Sequence, residues 1–276
     1  LGNKVKEVLK EAFLILKEEG IERPRLESEL LLSFFLKRDR LWLFKNDNFE
    51  VKKKDEFLKL VKKRALGYPL EYILGKVSFY LRDFFIEEGV LIPRPESEIL
   101  IDEALKTIEN IKNPKIAEIG VGSGVISIML ALFRKDSKIT ATDINKKALR
   151  LSFKNACLYG VEDRIDLIHT SFLDEVEGKF DLLVSNPPYI STSFKLDKNV
   201  LKEPKEALFG GERGDEIIEK IISLAVFRKI PYLVCEMGYD QREYVEAHLK
   251  RMKIDNFYFY KDLAGLDRGF VARVSE

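Results

Sequence analysis

The segment Ser185-Asn186-Pro187-Pro188-Tyr189 closes an apolar run, Leu182-Leu183-Val184, with an amide, two prolines and a phenol. Proline has no N–H to continue a ladder, and its ring fixes φ at about −65° and stiffens the chain. Such a segment therefore ends a strand and holds groups still: the Asn186 side-chain carbonyl, the Pro187 backbone carbonyl and the flat ring of Tyr189. A second cluster lies upstream, where Gly120-Val121-Gly122-Ser123-Gly124 follows the apolar Lys115–Ile119. Glycines there let the backbone turn tightly and approach a ligand. The dinucleotide fingerprint is G-x-G-x-x-G, whereas here the third glycine comes one position early and Val125 takes the expected place, which argues against a dinucleotide. Asp143 falls roughly 20 residues beyond the turn, where a carboxylate can accept hydrogen bonds from two ribose hydroxyls. An adenosine-containing ligand fits both features.

These residues need a sheet to bring them together. From about Glu96 onward a helix leads to strands expected at Lys115–Ile119, Lys138–Asp143, Arg164–His169, Phe180–Ser185 and Tyr232–Glu236, with helices between most of them. Apolar strands alternating with helices predict a parallel sheet covered on both faces. The last two strand-like runs, Asn256–Asp262 and Gly269–Val274, are too close for a crossover and predict an antiparallel pair at the sheet edge. Before this region, residues 76–95 are rich in aromatic and β-branched side chains and read as a β-hairpin linker. Residues 1–75 are helical by spacing: Val5, Leu9, Phe13 and Leu16, then Leu26, Leu30, Leu31, Phe34 and Phe35, with Pro24 suited to a helix start. Three or four helices are expected here, bundled around Trp42 and the phenylalanines.

Beyond the glycine turn the chain resembles the Rossmann-like, S-adenosyl-L-methionine-dependent methyltransferases, with Glu118-Ile119-Gly120-Val121-Gly122-Ser123-Gly124 as their first motif and Asp143 as the acid of the second strand. The resemblance implies that the glycine turn lies beside the methionine part of the cofactor, that Glu118 helps hold its ammonium group, and that the loop after the third strand flanks the adenine. In that loop Ser171-Phe172 stands where relatives often carry an aspartate, and Phe172 offers a stacking face. Asn186-Pro187-Pro188-Tyr189 resembles the [N/D]-P-P-[Y/F/W] motif of methyltransferases acting on amide-like or aromatic-amine nitrogens. The lone pair of such a nitrogen is delocalised, so it attacks a sulfonium methyl poorly unless it is held in line. Asn186 and Pro187 can each accept one hydrogen bond from the target NH₂ and stabilise the positive charge that develops on nitrogen, while Tyr189 lies against the planar group. The nitrogen then sheds a proton to water, so no histidine base is required.

Three further segments, "GVLIPRPESE", "EPKEALFGGERGDE" and "KDLAGLDRGFVAR", together with the helical N-terminus and Asn at 186, resemble the protein-(glutamine-N5) methyltransferases of peptide chain release factors. What this implies is an α/β protein in three parts: a small helical substrate-recognition bundle at 1–75, a β-hairpin linker at 76–95, and a seven-stranded methyltransferase domain with an antiparallel edge pair at 96–276. It implies S-adenosyl-L-methionine as cofactor, S-adenosyl-L-homocysteine as product, and the Gly-Gly-Gln loop of release factors as partner. Asn186, Pro187, Pro188 and Tyr189 then meet the substrate, and Asn186 also borders the cofactor. Arg94 either closes over the cofactor or tethers the linker. The same motif would serve an RNA or DNA exocyclic-amine methyltransferase as the alternative.

Composition narrows the choice. Lysine plus arginine, 47, nearly balance aspartate plus glutamate, 46, so no global basic field favours a nucleic-acid substrate. No apolar run approaches the roughly 20 residues of a membrane span, and the charges among Leu1–Lys10 do not suit a signal peptide, so the expectation is cytoplasmic. Cys157 and Cys235 lack metal-ligand spacing and read as buried thiols; no metal is expected. A charged fraction of 34% with Gln241 as the single glutamine leans towards a thermophile.

Overall fold

The computed structural model describes residues 2–275, and the chain folds as two units. The first comprises the chain up to Lys76 together with Asp197–Lys202. Among the described residues it holds five α-helices: α1 Val5–Glu18, α2 Pro24–Leu36, α3 Arg40–Lys45, α4 Lys54–Ala65 and α5 Leu70–Leu74. Local chemistry sets their ends. Glu7 accepts the Lys4 N–H at 2.9 Å to start α1, Pro24 opens α2 where its missing N–H costs nothing, and Asp39 accepts the Trp42 N–H at 2.6 Å to start α3. Val5, Val8, Ala12, Leu31, Leu32, Leu43 and Phe57 fill the core. The expected aromatic centre is thus corrected: Trp42 lies at the rim, Phe34 is 45% exposed, and aliphatic side chains with Phe57 occupy the middle. The buried apolar residues of α1 and α2 are Val5, Val8, Ala12, Leu16, Leu31 and Leu32, so aliphatic side chains fill the space between these helices. Buried Arg64 pairs with Glu27 and donates to Asn199 at 3.3 Å, which fastens Asp197–Lys202 to this unit.

The second unit starts with a hairpin, β1 Lys76–Phe79 and β2 Arg82–Phe85, of which Val77 onward belongs to it. Its two-residue turn puts Tyr80 and Leu81 at φ 50° and 58°, conformations that usually select asparagine or glycine. Tyr80 is held there by its N–H on Glu98 Oε1 at 2.7 Å and its hydroxyl on Asp102. Phe79 and Phe84 sink into the sheet unit's core and anchor one face of the hairpin.

Next come α6 Ser97–Thr107, β3 Lys115–Ile119, α7 Val125–Phe133, β4 Lys138–Asp143, α8 Lys146–Tyr159, β5 Ile165–His169 and β6 Leu182–Ser185. After the short strands β7 Ile190–Ser191 and β8 Phe209–Gly211, the chain forms α9 Glu216–Phe227, β9 Tyr232–Glu236, α10 Arg242–Arg251, β10 Phe257–Lys261 and β11 Asp267–Arg273. The main sheet has seven strands in the order β10-β11-β9-β6-β3-β4-β5, parallel except that β11 runs against both neighbours. Side chains alternate between its faces as the pleat requires. Ile116, Leu182, Val184 and Val234 pack under α6, α7 and α8, whereas Ala117, Leu183, Leu233 and Cys235 pack under α9 and α10. Helix α7 is apolar nearly all round and correspondingly buried from Val125 to Ala131. Cys235 is buried, but Cys157 lies on the outer side of α8 and is exposed, which corrects the expectation of two buried thiols. Among the described residues no helix is long and apolar enough to cross a membrane.

Candidate active site

Strands β3 and β6 are neighbours, but the chain continues from β3 to β4 on one side while β6 lies on the other. At such a switch point the connections diverge and leave a crevice beyond the carboxyl ends of the strands. A cavity of about 240 Å³ opens there, walled by the segments that follow β3, β4, β5 and β6.

The turn after β3 has Gly120 at φ 79°, Gly122 at 55° and Gly124 at 86°. The glycines differ in their reason. A side chain at Gly120 or Gly122 would meet no atom within 4 Å, so those positions leave the backbone open to the cavity, whereas a Cβ at Gly124 would lie 2.4 Å from Ser152 Oγ on α8. Gly124 therefore serves the α7–α8 approach. The Gly122 N–H donates to Asp143 Oδ2 at 2.9 Å, and the Asn145 N–H to Oδ1 at 2.8 Å, which fixes the carboxylate at the end of β4. Burial pushes the Asp143 carboxyl up, and those two N–H groups counter the shift. Each oxygen retains lone-pair capacity for a ribose hydroxyl.

Glu118 projects from β3 towards α7, fully buried, with Ser127 donating to Oε2 and Oε1 left without a partner. Desolvation raises its pKa to about 8. The unpartnered Glu118 oxygen, buried behind the cavity wall, has the chemistry to take an ammonium group, and Asp143 on the wall suits a ribose. Phe172, Ile144 and Ala148 give the cavity an apolar wall of the kind an adenine ring needs. Phe172 sits at φ 48°, a strained setting for a bulky residue, with its carbonyl accepting the Thr142 hydroxyl at 2.6 Å. The residues present therefore fit S-adenosyl-L-methionine.

On the β6 side, the Ser185 hydroxyl donates to the Ile119 carbonyl at 2.8 Å and locks the strand end to β3. Asn186 follows on the cavity wall with Pro187 and Pro188. Its Nδ2 donates to Ser97 Oγ at 2.9 Å; Ser97 Oγ donates in turn to Glu236 Oε2 at 2.7 Å, and the Tyr189 hydroxyl donates to Glu236 Oε1 at 3.2 Å. Burial lifts Glu236 to about 7 despite those two donors; Glu96 raises it further and Arg268 lowers it. Burial and the nearby Glu236 push the Tyr189 phenol up.

Neighbouring segments clamp the motif loop. Gln241 Nε2 donates to the Tyr189 carbonyl at 2.8 Å, and β7 pairs with β8. A Cβ at Gly210 would lie 2.5 Å from the Pro188 carbonyl, and one at Gly214 would lie 2.5 Å from that of Tyr189, so both glycines are needed for backbone to lie directly on backbone. Arg94 pairs with Glu203, which also accepts the Ile92 N–H at 3.0 Å; Arg94 thus ties the segment before α6 to the segment before β8.

Gly120, Gly122, Asp143, Phe172, Asn186, Pro187 and Pro188 share the cavity wall, while Glu118, Val121, Ser123, Gly124 and Tyr189 stand outside that wall. Val121 and Ser123 are buried in the turn, and Tyr189 packs its ring on the α9 side of the sheet. Ser97, Glu236 and Gln241 were not singled out by sequence. No local pattern marks them, because they meet the motif from α6, β9 and the start of α10.

A mostly parallel seven-stranded sheet, a switch-point cavity, the glycine turn with its acid on β4, and an Asn-Pro-Pro-Tyr loop together define a Rossmann-like methyltransferase. The description "Methyltransferase small domain" matches residues 96–212, and "PrmC N-terminal domain" matches residues 7–75. A release factor glutamine methyltransferase of Clostridium botulinum is 35% identical over 279 residues, 98% of this chain and 99% of its own. One from Dictyoglomus turgidum is 42% identical over 214 residues, 76% of either chain. The chain belongs to the release factor glutamine methyltransferase family. Among solved structures, the catalytic domain of hMettl16 in complex with an RNA hairpin, MAT2A 3'UTR hairpin 6, shares the fold at TM-score 0.58 and 14% identity, over 70% of this chain and 76% of that one. The N-terminal domain of human METTL16 in complex with SAH does so at 0.52 and 14%, over 84% and 87%.

Proposed function

We propose that this chain methylates the side-chain amide nitrogen of the glutamine in the Gly-Gly-Gln motif of peptide chain release factors. The observation that carries this reading is Asn186, fixed by Ser97 on the cavity wall beside the glycine turn, in a chain with relatives of that name along nearly its whole length. S-adenosyl-L-methionine supplies the electrophilic methyl group on sulfonium, and S-adenosyl-L-homocysteine leaves.

Glu118 would hold the ammonium of the methionine part, Asp143 the ribose hydroxyls, and Phe172 the adenine face. Asn186 Oδ1 and the Pro187 carbonyl would each accept one hydrogen of the target NH₂, aligning the nitrogen lone pair on the methyl carbon. As the N–C bond forms and the C–S bond breaks, positive charge grows on nitrogen and both acceptors strengthen. The proline pair keeps them rigid, so alignment costs little entropy at that moment. The proton of the methylated nitrogen leaves to water. The helical unit would recognise the release factor away from the target loop, since docking a folded partner takes far more surface than one glutamine side chain provides.

The test is mass spectrometry of the Gly-Gly-Gln peptide after incubation of enzyme and cofactor with release factor, with bulk RNA and DNA as parallel acceptors. One added methyl on the glutamine is expected. Transfer to nucleic acid alone would overturn the reading.

A further inference from the structure

Asn186 serves the reaction only if its carbonyl faces the target. A primary amide has two ends of nearly equal size, and an unrestrained side chain presents either; turned over, it would set NH₂ against NH₂. We propose that Ser97, held by Glu236, is the positioning residue that orients the Asn186 amide with its oxygen towards the substrate. This rests on the reading of Asn186 as acceptor and deepens it.

Ser97 is 2% exposed and Glu236 1%, so water does not compete for either. The ionised Glu236 carboxylate can only accept; its two oxygens take the Ser97 hydroxyl at 2.7 Å and the Tyr189 hydroxyl at 3.2 Å. With its one proton committed to Glu236, Ser97 Oγ has only lone pairs to offer Asn186. The amide must therefore turn its NH₂ to Ser97, at 2.9 Å, which leaves Oδ1 for the cavity. Every donor in the chain points towards Glu236, so the carboxylate's charge sets the direction of the whole array. A buried carboxylate is an expensive way to fill space and is weak evidence for stability, which fits a role in specifying orientation.

The three groups come from separate elements: Ser97 opens α6, Asn186 follows β6, and Glu236 closes β9. Ser185 pairs with Cys235 in the sheet, which sets Asn186 and Glu236 side by side. The charged and titratable groups that act on Glu236 or are acted on by it are Tyr189 on the motif loop, Glu96 before α6, the adjacent Cys235 on β9, Tyr260 on β10 and Arg268 on β11. Protonation of Glu236 frees Ser97 to donate to Asn186 and removes the preference.

The test uses the full-length enzyme with release factor under saturating single turnover, together with ¹H–¹⁵N spectra of the Asn186 side-chain amide, identified by its loss in Asn186→Ala. Ser97→Ala should slow methyl transfer roughly tenfold, as expected for one lost buried hydrogen bond, with cofactor affinity and KM for release factor within about twofold. It should also shift the Asn186 amide signals. Ser97→Thr keeps the hydroxyl and should restore both rate and signals. The parent's rate should rise with pH near neutrality as Glu236 ionises, and Glu236→Gln, of equal volume, should slow transfer like Ser97→Ala and show no such rise. Parent-like transfer by Ser97→Ala, unmoved Asn186 signals in that variant, or an equal loss in Ser97→Thr would each overturn the assignment. If Ser97→Ala no longer binds cofactor, the rate of Glu236→Gln decides, and a parent-like rate overturns it. Should the parent itself leave the release-factor glutamine unmodified, the functional reading fails, and the amide signals still decide the orientation.

Discussion

At Asn186 the proposed role and the structural support separate cleanly, because the amide donor is spent on Ser97 and the carbonyl would be left to accept from the substrate. Asn186→Ala should lower kcat by roughly 10²–10³-fold, the usual effect of removing one preorganised electrostatic partner, with KM little changed. Cofactor binding should survive, since Asp143 and the glycine turn stand on other strand ends. Single-turnover rates at saturation, with calorimetry for the cofactor, check both parts. Asp143→Ala should do the reverse and weaken cofactor binding at least about tenfold, since hydrogen bonds to a charged acceptor contribute roughly 1.5–3 kcal/mol each. Glu118 carries a pH signature. Its folded pKa is raised from 4.5 to about 8, so the cofactor-free folded state keeps a proton that the unfolded chain releases. Stability from this source is complete below 4.5 and is lost as pH rises towards 8. Urea midpoints of the cofactor-free parent should fall across that window relative to Glu118→Gln. An ammonium at the orphaned oxygen favours the ionised form, so cofactor binding near pH 7 should release about one proton from this group. Calorimetry in buffers of different ionisation enthalpy should show that release in the parent and its loss in Glu118→Gln.

At the scale of elements, the α7–α8 contact decides whether the glycine turn keeps its shape. Gly124 caps α7 at φ 86°, and any side chain there collides with Ser152, whose hydroxyl is itself buried without a partner. Gly124→Ala should destabilise the protein by about 1–3 kcal/mol, from overpacking and an unfavourable φ together. Ser152→Ala removes the colliding oxygen and an unpaired buried hydroxyl, so it should be close to neutral alone and recover part of the loss in the double variant. Denaturant midpoints of the four proteins measure this coupling. The strand and helix pattern was legible in the sequence because periodicity is local: β3, β4 and β9 lie where the alternation places them. Helix α2 was placed correctly but its buried row was not. The sequence pattern favours Leu26, Leu30, Leu31, Phe34 and Phe35, of which Leu31 alone is buried; Ser28, Glu29 and Leu32 complete the buried row, with Glu29 paired to Arg40 and Arg25. Which row faces inward depends on the neighbouring helix, and hydrophobicity along one helix does not contain it.

For the whole molecule, the proposal that the helical unit recognises the release factor predicts a divided phenotype. An enzyme lacking residues up to Leu74 should methylate a short Gly-Gly-Gln peptide about as well as the full chain does, which verifies its fold. Its kcat/KM on intact release factor should fall by at least about tenfold, because most of the docking surface is gone. Equal kcat/KM on intact factor would remove that role from the helices.

The sequence by itself determined the chemistry on offer and its order along the chain. A glycine turn, an acid and an Asn-Pro-Pro-Tyr loop each follow an apolar strand; side-chain type and spacing mark a ligand-binding turn and a rigid strand end, and the resemblance to methyltransferases supplies the roles expected of them. Only the tertiary structure decided which of these residues share a wall and what holds them. It set Phe172 on the cavity, withdrew the Tyr189 hydroxyl to Glu236, and brought Ser97 and Glu236 to Asn186 from positions 89 and 50 residues away in the chain. The physical reason is that a hydrogen bond is satisfied in space. Strand order and register choose its partners, and in this sheet β6 lies between β3 and β9 although the three are far apart in sequence.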